Sequence, residues 1–265
     1  MFSLQAFNTV FWRRLFSFFA ILTWVVVACV VILRVQNASA VSLFDENNPD
    51  DGPVFVEMFL SQSCSSCVPA AAHVRQLAQR EDVIVLAWHV DYWDDLFVAN
   101  HGRWKDPYSS PDYTDRQRKY ALNRPTGRIY TPQAIVNGQM ETVGSRPART
   151  EVVLAAADRL APLEVTKAGN QLKISTQSAR PGDIVYLASF QRTTQTSILG
   201  GENAGHDWQE ANVVTNVTAT VIDDPAGEIS LALPENHLTP DQHCAIFIQA
   251  PGKGAVRSAA YCPQS

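Results

Sequence analysis

Hydrophobic and polar positions along the chain follow three successive regimes. From 15 to 33 the run carries no charge, and Ser17 and Thr23 are its only hydroxyl residues. Nineteen residues at ~1.5 Å each span about 28 Å as a helix, close to the roughly 30 Å hydrocarbon core of a bilayer. That run predicts a membrane signal outside the folded body, and the acidic, turn-rich stretch 41–52 (VSLFDENNPDDG) predicts a linker. From 53 to 160, apolar runs alternate with helical patterns. The string VFVEMFL (54–60) predicts a buried strand whose one charge is Glu57, and 69–80 predicts a helix. The string VIVLAWHV (83–90) is β-branched and nearly all apolar, as parallel strands covered on both faces are. Two short strands, 133–136 and 140–143, flank Asn137-Gly138, the strongest short hairpin signal, and 146–160 reads as an alanine-rich helix.

Between these elements, 91–123 is polar and rich in Tyr, Trp and Pro; it predicts an irregular insertion that turns helical over 114–122. The pattern changes again at Ala161-Pro162-Leu163. Beyond it come short alternating runs such as LEVTKAG, QLKISTQ, DIVYLASF and CAIFIQA, separated by turns and without a repeat. Residues 161–265 therefore predict a second, small all-β domain of sandwich type.

Composition removes some functions. Lys and Arg number 21 against 26 Asp and Glu, which excludes a general nucleic-acid binder with its basic face. Only 18% of residues are charged, while six Trp and twelve Phe require burial, so the chain is not disordered.

The N-terminus sets the compartment. Arg13 and Arg14 precede the apolar run, and the pair also hints at twin-arginine export. Ala38-Ser39-Ala40 has the small-x-small form of a signal-peptidase site, yet the run is longer than a usual cleavable core. Cleavage near Ala40 and an uncleaved inner-membrane anchor both remain open; Val26-Val27-Ala28-Cys29 adds a loose lipoprotein box. Each outcome places residues 41–265 in the periplasm or its equivalent. The first 40 residues hold three Arg and no acid, so the exported part carries 18 basic and 26 acidic side chains, a net charge of −8. Of five cysteines, Cys29 belongs to the export segment. Four remain in a disulfide-permissive compartment.

Cys64-Ser65-Ser66-Cys67 lies between the first strand and the first helix. A cysteine just before a helix faces free backbone N–H groups that favour thiolate over thiol, and a second cysteine one turn on can close a disulfide with it. Cys64 is the expected nucleophile and Cys67 the resolving thiol. Thr131-Pro132 precedes a strand about 65 residues later, and a cis bond there sets backbone groups beside the sulfurs for an extended substrate. Glu57, seven residues before Cys64, is the candidate acid that takes the proton of the second thiol; a simple arginine or backbone contact is its alternative. Cys244 and Cys262 are cross-strand partners if their strands form a hairpin centred on Lys253, and then make a structural disulfide.

The order strand, CxxC helix, strand, insertion, Thr-Pro, strand, hairpin, helix resembles thioredoxin-fold proteins over about 53–160. More narrowly, the strings VEMFLSQSCSSC, WHVDYWDDL, WKDPYSSPDYTDRQRKYA, YTPQAIVNG and GENAG…NVV resemble the bacterial export family catalogued as domain of unknown function 1223. The resemblance covers most of the exported chain and implies an α/β thioredoxin-like domain, without an established substrate. Val68 stands where that pattern has proline, and FVANHGRW is longer than its counterpart.

The leading expectation is an extracytoplasmic thiol–disulfide oxidoreductase acting on a protein or small-molecule thiol, with an unidentified redox partner and no cofactor. Trp93, Trp104, Asp91 and Tyr92 are candidates for a lid or substrate surface. The alternatives are a copper or zinc carrier, with Cys64 and Cys67 joined by His89 or His73, and a non-catalytic interaction protein. GGENAGHDW (200–208) is either a binding loop or a domain contact, and Asn216-Val217-Thr218 is a chance glycosylation sequon.

Overall fold

The computed structural model describes residues 52–125, 127–225, 229–233 and 241–263. The export segment and residues 41–51 of the linker lie outside the described residues. Strand β1 (Val54–Leu60) and strand β2 (Val83–His89) pair in parallel, with Val54 opposite Val83 and Leu60 opposite His89. Helix α1 (Val68–Leu77) connects them, entered through a 3-10 turn at Ser65–Cys67. Pro69 falls in the first helical turn, where its missing N–H leaves no bond unmade. After the insertion and helix α2 (Pro111–Leu122), strands β3 (Gln133–Val136) and β4 (Met140–Val143) add antiparallel on the other side of β1, and helix α3 (Pro147–Ala155) follows.

The remaining strands are β5 (Glu164–Ala168), β6 (Gln171–Ser175), β7 (Ile184–Ser197), β8 (Asp207–Val221), β9 (Ile229–Ala232), β10 (Gln242–Gln249) and β11 (Val256–Tyr261). Their arrangement differs from a detached sandwich. Strand β8 pairs in parallel with β2 at Ala87–Val213, so one eight-stranded sheet runs in the order β11-β10-β7-β8-β2-β1-β3-β4. Strands β5, β6 and β9 form a small separate sheet. Residues from Pro49 onward make one compact unit, and the expected boundary near 161 does not separate two sheets. The reason is the free edge of β2. Buried on both faces and unpaired on one side, it needs a backbone partner for its ladder groups, and β8 supplies it.

Side-chain alternation divides the interior by face. Val54, Val56, Met58 and Leu60 of β1 join Val83, Val85 and Ala87 of β2 against Ala70, Ala71, Val74 and Leu77 of α1. Phe55 and Phe59 point the other way, with Leu86, Trp88 and Phe247, onto Tyr113 and Tyr120 of α2. A third cluster packs Leu172, Ile174 and Leu231 of the small sheet onto Val185, Leu187, Ile246 and Ile248 of β7 and β10. That pairing of sheets is the sandwich-like part of the chain. Each fully buried aliphatic side chain contributes roughly 1.5–3 kcal/mol to this arrangement.

Two hairpins lock the far end. Asn137 and Gly138 both take positive φ, 49° and 71°, at the centre of a tight turn that Gln139 N–H closes onto the Val136 carbonyl at 2.9 Å. Asn137 also bridges elements: its Oδ1 accepts from Phe55 N–H at 2.8 Å, its Nδ2 donates to Asp158 O at 2.7 Å, and its carbonyl accepts from Val256 N–H at 2.9 Å. A Cβ on Gly138 collides with the Gly254 carbonyl. Gly138→Ala is therefore expected to cost about 1–3 kcal/mol of stability, from left-handed strain and the clash together, read as a lowered denaturant midpoint with unchanged slope.

Candidate active site

Strand β1 ends at Leu60, and the chain turns through Ser61-Gln62-Ser63 into the cysteines. Cys64 N–H donates to the Ser61 carbonyl at 3.2 Å, and Cys64 keeps an extended backbone before the 3-10 turn begins. Cys67 N–H closes that turn onto the Cys64 carbonyl at 3.0 Å. Cys64 and Cys67 form a disulfide, with Cα atoms 5.3 Å apart. Both cysteines are fully buried, while Ser65 and Ser66 between them are exposed.

Thr131 stands directly across from this pair. The Thr131-Pro132 bond is cis. Thr131 Oγ1 donates toward Cys64 Sγ at 3.4 Å and itself accepts from the Trp93 indole N–H at 2.7 Å. Ser66 Oγ lies 3.2 Å from Cys64 Sγ and 3.4 Å from the Thr131 carbonyl. The insertion therefore reaches the sulfur through one relay, from Trp93 to Thr131 to Cys64.

Two loops hold the cysteine turn. From the insertion, the Trp104 carbonyl accepts from Ser63 Oγ at 2.9 Å, and the Trp104 indole donates to Gln62 Oε1 at 3.2 Å. From the β7–β8 connection, Asn203 Nδ2 donates to the carbonyls of Gln62 and Cys64 at 2.7 and 3.1 Å. In the same connection, Glu202 Oε2 accepts from Ser65 N–H at 2.8 Å. The expected lid residues Trp93 and Trp104 are thus brought to the site. Tyr92 also reaches Thr131 through a side-chain hydrogen bond, while its OH donates to Gln117 Oε1 of α2 at 3.3 Å; Asp91 instead accepts from Thr114 Oγ1 at 2.5 Å, fastening the insertion to α2.

Beneath the turn sits a charged group with no exposure. His89 Nδ1 is 2.6 Å from Asp106 Oδ2 and its Nε2 is 2.9 Å from Glu210 Oε2. Asp106 Oδ2 also accepts from Gln62 N–H at 2.7 Å, and Glu210 Oε2 from the Trp208 indole at 2.8 Å. Burial alone pushes the His89 pKa down, but the two carboxylates outweigh it and raise it to about 10. Asp106 is held below the usual carboxylate range: burial opposes this, and His89 with the Gln62 and Tyr108 amides overcomes it. Both ring nitrogens of His89 are engaged, so it does not join the cysteines as a third metal ligand. His73 bonds Glu151 instead, at 3.0 Å. Among the described residues, no three His, Cys, Asp or Glu side chains are grouped to hold a metal ion.

Glu57 is corrected from an acid behind the thiols to a structural one. Strand residues alternate, and 57 shares the parity of Phe55 and Phe59, so its side chain lies on the face opposite the cysteines. There Arg116 Nε donates to Glu57 Oε1 at 2.5 Å and Nη2 to Oε2 at 3.0 Å, and Tyr120 OH also donates to it. The Arg116 guanidinium is stacked among Trp88, Tyr186 and Phe247, with centroids 4.8–5.0 Å away. Sequence reasoning weighed Glu57 by its distance along the chain and missed the parity. It also missed Asp106, Glu210, Glu202 and Asn203; for the last two, the unassigned GGENAG loop was the available signal.

Residues 55–249 match the family described as protein of unknown function (DUF1223). The chain belongs to this family. Among solved structures, it is similar to protein AGR_C_4864 from Agrobacterium tumefaciens, at 26% identity and a TM-score of 0.65, covering 80% of this chain and 94% of that one. It is also similar in fold to HBP35 of Porphyromonas gingivalis, at 10% identity and a TM-score of 0.53, covering 80% and 74%. No curated protein matches.

Two expectations follow from the buried charges. Glu57→Gln leaves Arg116 buried without its counter-charge and should lower stability by about 3–5 kcal/mol in denaturant unfolding, while alkylation of reduced Cys64 in the folded variant stays within about twofold of wild type. His89 has a folded pKa of about 10 against 6.5 unfolded. Its stabilisation is complete below pH 6.5 and is lost as pH rises toward 10. Lys253 acts oppositely: burial and then Arg116 depress it to about 7, so its cost is relieved between pH 7 and 10.5. The stability difference between wild type and His89→Gln isolates the histidine, and it should narrow from pH 6.5 to 10.

Proposed function

We propose that this family member is an extracytoplasmic thiol–disulfide oxidoreductase with a thioredoxin-like core, acting on protein or small-molecule thiols. The observation that carries the reading is the CxxC disulfide at the entry to α1 with the Thr131 hydroxyl aimed at Cys64 Sγ. A hydroxyl donor beside a sulfur stabilises it as a thiolate, which is both the nucleophile and the leaving group of exchange. The parallel β1-α1-β2 unit with β3 and β4 antiparallel on the far side of β1 supports the thioredoxin-like core. The apolar run 15–33 supports export; among the described residues, no helix is long and apolar enough to cross a membrane.

In the oxidised form, a substrate thiolate attacks Cys64 Sγ, the bond to Cys67 breaks, and Cys67 leaves as a thiolate that takes a proton. A second substrate thiol, deprotonated, attacks the substrate sulfur of the mixed disulfide and releases Cys64. The substrate dithiol loses two electrons as its own disulfide forms, and the Cys64–Cys67 pair gains them. With a substrate disulfide and the reduced pair, the same steps run in reverse.

Assaying the full chain for exchange with a dithiol peptide tests this. Cys64→Ala should abolish exchange, Cys67→Ala should accumulate a mixed disulfide on Cys64, and Thr131→Ala should slow exchange about fivefold, as loss of one hydrogen bond of ~1 kcal/mol implies. A Cys64–Cys67 bond that excess dithiol leaves intact in the folded protein defeats the reading.

A further inference from the structure

The β7–β8 connection packs against the cysteine turn and is fixed at two points. Gly201, at φ 71°, packs so closely that a Cβ would stand 3.1 Å from Trp104 Cβ, and its N–H donates to the His101 carbonyl at 3.3 Å. Asn203 is bonded to the carbonyls on either side of Ser63. Between these anchors Glu202 is exposed, with one oxygen 2.8 Å from the Ser65 amide nitrogen. That amide directly follows Cys64. Covalent geometry keeps Cys64 Sγ within ~5 Å of it, so the carboxylate oxygen stands within about 8 Å of the sulfur.

A disulfide is neutral and indifferent to that charge. A thiolate on Cys64 is not: it faces a carboxylate, and the adjacent N–H is already engaged. The other charges near the turn have their own partners and are left in place by a substitution at Glu202. His89, Asp106 and Glu210 bond one another beneath Gln62; Arg75 of α1 donates to the Gln209 carbonyl, and Arg103 of the insertion to the Asp95 carbonyl.

We propose that Glu202 is a positioning residue that restrains Cys64: its carboxylate occupies the Ser65 amide, disfavours the Cys64 thiolate and biases the pair toward its disulfide form. The use of this restraint rests on the oxidoreductase reading, whereas the shift in acidity belongs to Cys64 alone. A partner that displaces the carboxylate from Ser65 lifts the restraint at the moment of exchange.

The test is the pH dependence of Cys64 alkylation by iodoacetamide in the reduced full chain, read on the Cys64 peptide by mass spectrometry. In Glu202→Gln, which keeps an acceptor oxygen but loses the charge, the Cys64 titration should move about one pH unit lower. Alkylation below the titration range should be about threefold faster, once the weaker nucleophilicity of a more acidic thiol is counted. Glu202→Asp should titrate close to wild type, and 1 M salt should shrink the difference between wild type and Glu202→Gln. Equilibration with glutathione should leave Glu202→Gln more reduced than wild type. Superposable titrations, or faster alkylation at every pH with an unmoved midpoint, overturn the proposal. Wild type inert in exchange with a shifted Glu202→Gln titration defeats the oxidoreductase reading alone; active wild type with an unshifted titration defeats the role of Glu202 alone.

Discussion

A buried imidazolium between two carboxylates ties the molecule together. His89 sits at the end of β2, Asp106 comes from the insertion, and Glu210 from β8. None of the three side chains has any exposure, so each charge depends on the others for its solvation. Through Asp106 the triad also holds the Gln62 amide, two residues before Cys64. Removing His89 leaves two carboxylates without a counter-charge under the cysteine turn. The irregular insertion and the distant strand are thereby parts of one site rather than additions to it.

The sheet keeps two kinds of buried charge apart. On the cysteine face lies the His89 triad, and on the opposite face lies Glu57 with Arg116, Tyr120 and Gln249. Unsatisfied atoms are costly in such a low-dielectric interior: the Glu57 carboxylate has partners on both oxygens, whereas Glu210 Oε1 is buried without one. Separation by one strand's thickness gives each a different task. The Glu57 network joins β1, α2 and β10, whereas the triad holds the turn that leads into Cys64.

The disulfide is covered rather than presented. Trp104 and Asn203 grip the turn from opposite loops, and both sulfurs are buried behind the exposed pair Ser65-Ser66. Such coverage restricts access to the sulfurs. Cys64 Sγ is flanked by two hydroxyls, of Thr131 and Ser66, and the amide after it by the Glu202 carboxylate. Thr131 and Glu202 belong to segments brought together from far along the chain.

Local pattern alone determined the elements and the cysteine pairing. The runs at 54–60, 83–90 and 133–143 became strands within a residue, the Asn137-Gly138 turn formed, and Cys64 with Cys67, and Cys244 with Cys262, are bonded as their spacing predicted. These are legible because they depend on neighbours in sequence: period-2 alternation, turn residues that tolerate positive φ, and cysteines one helical turn or one hairpin apart. Tertiary structure alone decided three things. It paired β8 with the open edge of β2, so the C-terminal strands continue the sheet past the change of pattern at 161. It sent Glu57 to the face away from the thiols, because a single-residue step in a strand reverses a side chain. It also carried Glu202 and Asn203 to the cysteines. Such contacts are set by the closure of long loops against a sheet, and no spacing along the chain encodes which distant edge or amide will be left needing a partner.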